Sequence, residues 1–97
     1  MEISSEILDE KKVVFLDGEI DMSNVESIKK EILAIENKDI SLDFSKLSYI
    51  DSSGIGMLIS LHKTSLVNGG SLEIRNVDSK IKNLFEIVGL NRILNII

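Results

Sequence analysis

The spacing of apolar residues along the chain switches repeatedly between every second residue and every third or fourth, and this alternation restricts the fold more than any other feature. A period of two puts alternate side chains on one face of a strand, whereas a period near 3.6 puts them on one stripe of a helix. The opening "MEISSEILDEKKVVFLDGEID" reads as two short strands, Ile3 to Leu8 and Lys12 to Leu16. The polar turn Asp9-Glu10-Lys11 joins them as a hairpin, and Asp17-Gly18 breaks the pattern. Ser23-Asn24-Val25-Glu26 has the spacing of a capping box, and Val25, Ile28, Ile32 and Ile35 then share a helical face. After the polar loop Glu36 to Asp39, "ISLDFS" alternates Ile40, Leu42 and Phe44 with polar residues, the period of a strand. Helical spacing resumes from Ile55 through Leu58, Ile59, Leu66 and Val67, and Asn68-Gly69-Gly70 supplies left-handed residues to close that helix. "SLEIRNV" is a short strand. Asp78 or Ser79 caps a third helix with the face Ile81, Leu84, Phe85 and Val88, which Gly89 stops, and "RILNII" is a final strand or short helix.

The resulting order, β-β-α-β-α-β-α-β, predicts a mixed α/β fold: a small sheet of four to five strands, part antiparallel and part parallel, flanked by three to four helices. At 97 residues the chain is expected to be one domain, 1–97, with a single small core.

Charge and composition exclude several function classes. The formal net charge is −5 and the 11 basic residues are scattered, which argues against nucleic acid as a direct partner. Cysteine is absent, removing disulfides, a thiolate nucleophile and cysteine metal sites, and fitting a reducing cytoplasm. Apolar runs such as Val13 to Leu16 fall far short of the roughly 20 residues that span a bilayer. "MEISSEIL" also lacks a signal-peptide core, so no membrane role is expected. No metal or cofactor motif is present, and a monomer is the default for so small and acidic a chain.

Chemistry concentrates in "YIDSSGIGML", residues 49–58, where a strand-like run ends and a helix begins. A hydroxyl of Ser52 or Ser53 could cap the helix, attack a substrate or receive a phosphate. Asp51 and both serines are good cap residues. Gly54 and Gly56 are unexpected in a helix start that only needs a cap, since each costs about 1 kcal/mol relative to alanine. They suggest a bare surface that another molecule can approach closely. A hydrolase fails on its parts: the single histidine, His62, lies about 13 Å along the helix from Ser53, and no Gly-x-Ser-x-Gly elbow is present. A phosphate-binding loop fails because Met57 and Leu58 follow Gly54-Ile55-Gly56 where lysine and a hydroxyl residue are needed. Asp43 and Asp51 lack the acidic pair and lysine of a phospho-receiver. What remains is a serine modified by another protein's active site, where phosphate at a helix start adds roughly −1.5 to −2 charge without dismantling the fold.

Three spaced motifs, "DGEIDMSN", "LDFSKLSYIDSSGIGML" and "IKNLFEIVGLNRI", resemble in order and register the STAS domain of bacterial anti-sigma factor antagonists, the SpoIIAA and RsbV type. The resemblance covers essentially the whole chain and implies a small mixed sheet flanked by helices. It also implies partner switching in transcription regulation. The unmodified antagonist binds an anti-sigma factor that is also a serine kinase, freeing the sigma factor; the kinase phosphorylates the antagonist, which lets go until a PP2C-type phosphatase restores it. By this resemblance the acceptor is Ser52, flanked by Asp51, Ser53, Gly54, Ile55 and Gly56, with Gly18, Glu19 and Asp21 on a second loop of the partner surface. Asp21 could equally cap the helix that follows it. Asp78-Ser79 stands where relatives often carry proline. The alternative role is a non-switching STAS scaffold in a transporter or other regulatory assembly.

Overall fold

The computed structural model describes residues 1–97. Strands β1 (Glu2–Leu8) and β2 (Lys11–Ile20) form the expected hairpin. Its loop is only Asp9-Glu10, with Leu8 paired to Lys11, and both loop residues take positive φ, as a two-residue primed turn requires. Helix α1 (Val25–Leu33) follows, then β3 (Asp39–Asp43), β4 (Leu47–Ile50), α2 (Ser52–Val67), β5 (Ser71–Arg75), α3 (Ser79–Ile87), a 3-10 turn over Leu90–Arg92 and β6 (Asn95–Ile96).

The sheet runs β1-β2-β3-β5-β6, antiparallel at the hairpin and parallel elsewhere, with β4 paired to β2 beyond the end of β3. The sheet therefore has six strands rather than the four to five expected. The additional strand is β4, whose Leu47 and Ile50 are buried while the two residues between them are exposed, so it never shows an alternating pattern. β2 also continues through Asp17-Gly18 instead of stopping there. Gly18, at φ +126°, absorbs a bulge, and its amide donates to the Lys46 carbonyl at 3.1 Å, which passes the strand from β3 to β4.

One face of the sheet carries the core. Val14 and Leu16 of β2, Leu42 of β3 and Leu72 and Ile74 of β5 point the same way and join Ile28 and Ile32 of α1, Leu58 and Leu61 of α2, and Ile81 and Phe85 of α3. Phe44 packs on Phe85 at a ring separation of 6.3 Å, tying the end of β3 to α3. All three helices thus bury onto one face. The opposite face presents Lys11, Val13, Phe15, Ser41, Asp43, Glu73 and Arg75. There Glu73 is buried beneath ion pairs to Lys11 and to Arg75 (2.7 Å) and accepts a hydrogen bond from Ser41 (2.9 Å).

The expected capping box at Ser23 does not form. Asn24 rather than Ser23 takes the N-cap position of α1, with no side-chain cap bond, because the Ser23 hydroxyl donates to Asp21 and the Asn24 side chain reaches backward. α2 starts at Ser52 with Asp51 as its N-cap, as expected for Asp51-Ser52-Ser53 at a helix start, and of the two candidates Asp78 and Ser79 it is Asp78 that caps α3.

Candidate functional site

The site lies where β2 and β4 end side by side. Ile20 pairs with Ile50, and the Asp51 amide donates to the Ile20 carbonyl at 3.2 Å, fixing the start of α2 against the last residue of β2. Asp51 is the N-cap. Its Oδ1 accepts from the Ser53 amide at 2.9 Å, from the Gly54 amide at 3.2 Å, and from the Ser53 hydroxyl. The Ser53 hydroxyl bond is the largest influence holding the Asp51 carboxyl below its ordinary pKa, with smaller support from the amides of Gly54, Ser53 and Met22. Asp51 is therefore a carboxylate at neutral pH.

The two serines consequently differ. Ser53 is half-buried and its hydroxyl is engaged by Asp51. Ser52, the first residue of α2, is exposed, and its hydroxyl makes no hydrogen bond within the chain. Two of the free amides of the first turn are already taken by Asp51, so a phosphate on Ser52 would find the helix start occupied by a carboxylate.

The two glycines separate as well. Gly54 is buried, and a Cβ there would come within 2.5 Å of Ile50 Cγ1 and 2.9 Å of Ile20 Cγ2, so its close approach is to the chain's own strand ends. The expectation that Gly54 opens a surface to another molecule is corrected on this point: it seats the helix. Gly56 is exposed with nothing within 4 Å of its Cβ position, and Ile55 is half-buried.

The second loop repeats the device used at Asp51. Asp21 Oδ1 accepts from the Ser23 amide at 2.9 Å and from the Ser23 hydroxyl, while the Asp21 amide donates to Asn24 Oδ1 at 3.0 Å. Asn24 Nδ2 in turn donates to the Glu19 carbonyl at 2.8 Å. Asp21 thus organises the turn before α1. Glu19 is exposed and half-buried Gly18 is the bulge residue. The amide of Met22 faces Asp51, so the two loops abut.

Two residues that sequence reasoning passed over belong to the same surface. Met22 is 81% exposed beside Asp51, and Tyr49, half exposed, pairs in register with Glu19. Met22 carried one legible signal: it is an apolar residue outside the helical stripe of Val25, Ile28 and Ile32. His62, half-buried further along α2, has no hydrogen bond to either serine, and no cluster of metal-ligating side chains exists. No helix is long and apolar enough to cross a membrane.

Comparison with known proteins gives concordant findings. The family model described as "STAS domain" matches residues 2–97. The anti-sigma-B factor antagonist of Bacillus subtilis (strain 168) is 32% identical over 81 residues, covering 81% of this chain and 74% of that protein. A crystal structure of a Thermotoga maritima protein superposes with TM-score 0.89 at 22% identity, covering 97% of this chain and 84% of that one, which speaks to the fold alone. The Bacillus cell fate determinant SpoIIAA in its phosphorylated form superposes with TM-score 0.74 at 25% identity, covering 99% and 91%.

Proposed function

The chain belongs to the STAS family of anti-sigma factor antagonists, and from that membership we propose that it is a serine-phosphorylated partner switch with Ser52 as the acceptor. The carrying observation is the inequality of the two serines: the Ser53 hydroxyl is held by Asp51, whereas that of Ser52 is exposed and free.

In this reading the unmodified face, formed by Ser52, Ile55 and Gly56 of α2 with Glu19, Asp21 and Met22 of the adjoining loop, docks on an anti-sigma factor that is also a serine kinase. Its role is regulatory. The phosphoryl chemistry belongs to the kinase, which uses ATP, and to a PP2C-type phosphatase that reverses it, in the cytoplasm where the sigma factor acts. Asp51 makes the switch sharp. Because it already occupies the amides of the helix start, a phosphate on Ser52 stands beside a carboxylate and faces the partner as an exposed dianion. Docking then requires desolvating two adjacent anionic groups, and the complex opens. Gly54 serves from beneath, by letting α2 sit against Ile20 and Ile50.

The deciding measurement is intact-mass and peptide mass spectrometry of the chain recovered from its native cells, with and without phosphatase treatment. A phosphate on Ser52 that is lost in Ser52→Ala and retained in Ser53→Ala supports the switch. An unmodified chain across growth phases and stresses assigns it to the non-switching scaffold role.

A further inference from the structure

The outer edge of β1 is seven residues long and unpaired; it has no proline, no lysine and no bulge, and its only charges, Glu2 and Glu6, lie on the polar face of the sheet, paired with Asp17 and Val13. Which of its backbone groups are free follows from the hairpin. The two-residue turn closes on the pair Leu8–Lys11, so Leu8, Glu6, Ser4 and Glu2 direct their amides and carbonyls toward β2. The same parity holds across β2, where the Gly18 amide and the Ile20 carbonyl bond on the far side, to Lys46 and Asp51. Ile3, Ser5 and Ile7 therefore offer their amides and carbonyls outward.

We infer that two copies of this chain pair antiparallel through β1, with Ser5 on the two-fold axis. Within "EISSEIL" the two isoleucines, Ile3 and Ile7, stand symmetrically about Ser5. Ile3 meets the second copy's Ile7 and Ile7 meets its Ile3, so all three outward-facing residues find hydrogen-bonded partners. Charge permits this register: Glu2 lies opposite the second copy's Leu8 and Glu6 opposite its Ser4, so no carboxylates are directly opposed. Like charges meet only on diagonals of about 7–8 Å, between the two Glu6 side chains and between each Glu2 and the second copy's Glu6, so added salt is expected to strengthen the pairing.

A groove supplies the apolar contact. Ile3, Ser5 and Ile7 point to the helix-covered face, since they pair with Leu16, Val14 and Lys12. Beside β1 an open groove of about 280 Å³ is lined by the apolar Ile3, Val14, Ile32, Ala34 and Ile35 and by polar residues that include Glu31. Ile7 itself is 63% exposed. In the dimer the second copy's Ile7 lies across from Ile3 at the lip of that groove, which accounts for an isoleucine otherwise left in water. β1 and the Ser52 surface use different parts of the molecule, so dimerisation and partner switching are separable.

The absence of cysteine allows a direct test of the register on the full chain. Across a hydrogen-bonded pair on the axis, the Cα atoms of the two Ser5 residues stand about 5.5 Å apart, within disulfide reach, while those of the two Ser4 residues stand about 8 Å apart, beyond it. Ser5→Cys is expected to give a cross-linked dimer under mild oxidation and Ser4→Cys is not. Sedimentation equilibrium of the unmodified chain at about 0.15 M salt is expected to show a monomer–dimer equilibrium between micromolar and millimolar concentrations. Ser5→Pro, which removes an outward amide, and Ile7→Lys are each expected to weaken it by about tenfold or more. Should Ser5→Pro unfold by circular dichroism, Ile7→Lys decides. A chain monomeric at every concentration, a dimer indifferent to Ile7→Lys, or equal cross-linking at positions 4 and 5 would overturn the inference.

Discussion

At the scale of single residues, Gly54 and Gly56 show how two like letters in one motif carry different physics. Gly54→Ala adds a methyl group that meets Ile50 and Ile20, which are themselves buried, so the helix start must shift off the strand ends. A loss of about 1–3 kcal/mol is expected despite alanine's better helix propensity. Gly56→Ala meets nothing within 4 Å and is expected to gain up to about 1 kcal/mol. Urea midpoints of the two variants against the unmodified chain would move in opposite directions. If the Gly56 surface docks a partner, the same variant weakens binding while it stabilises the fold. Asp51 belongs to this scale too: its replacement by alanine frees the amides of Ser53 and Gly54, and a cost of about 0.5–2 kcal/mol is expected in the same assay.

At the scale of elements, the hairpin turn is the clearest case of local strain. Asp9 and Glu10 hold φ of 50° and 66°, a region where glutamate in particular is disfavoured. The double change Asp9→Asn with Glu10→Gly supplies the residues such a turn prefers and is expected to raise stability by about 1 kcal/mol, measured as the thermal midpoint. The turn was legible as polar residues between two runs, but its length was not. Only pairing Leu8 with Lys11 limits the loop to two residues. The capping box at Ser23 failed for a similar reason: its hydroxyl had a nearer acceptor in Asp21, and the competition between local hydrogen bonds is not encoded in spacing. β4 escaped because four residues flanked by turns show no period, and their strand character comes from pairing with β2 beyond its bulge.

At the scale of the whole molecule, the sheet separates an apolar face that binds all the helices from a polar face built around Glu73. Burial alone would raise the Glu73 carboxyl, but hydrogen bonds from Lys11, Arg75 and Ser41 outweigh it and hold the pKa at about 2, below the ordinary 4.5. Asp43 on the same face is also lowered: burial opposes, and the Ser45 hydroxyl and amide and the Asn76 side chain prevail. Because these folded-state values lie below the unfolded ones, the native state binds fewer protons, so the contribution is complete above pH 4.5 and drains away as pH falls toward 2. For Glu73 this amounts to at most about 3 kcal/mol. Urea unfolding between pH 7 and pH 2 is expected to show the decline, and Glu73→Gln is expected to flatten it while lowering stability at neutral pH. Lys11 and Glu73 stand 62 residues apart in the chain, so nothing in either segment announces their contact.

The sequence by itself determined the class of fold, the hairpin, the three helices with their buried faces, the family and the placement of Asp51-Ser52-Ser53 at a helix start. The family rests on the resemblance of three spaced motifs; each of the others rests on periodicity or on hydrogen bonds within a few residues, interactions whose partners are neighbours in the chain. Tertiary structure alone decided that β4 extends the sheet along β2, that Gly54 is closed in by Ile20 and Ile50 while Gly56 is open, and that Met22 abuts Asp51. The physical reason is common to all three. Which side of a strand is bonded, and which side of a helix start is covered, depends on segments brought together only when the core packs, and no local pattern records them.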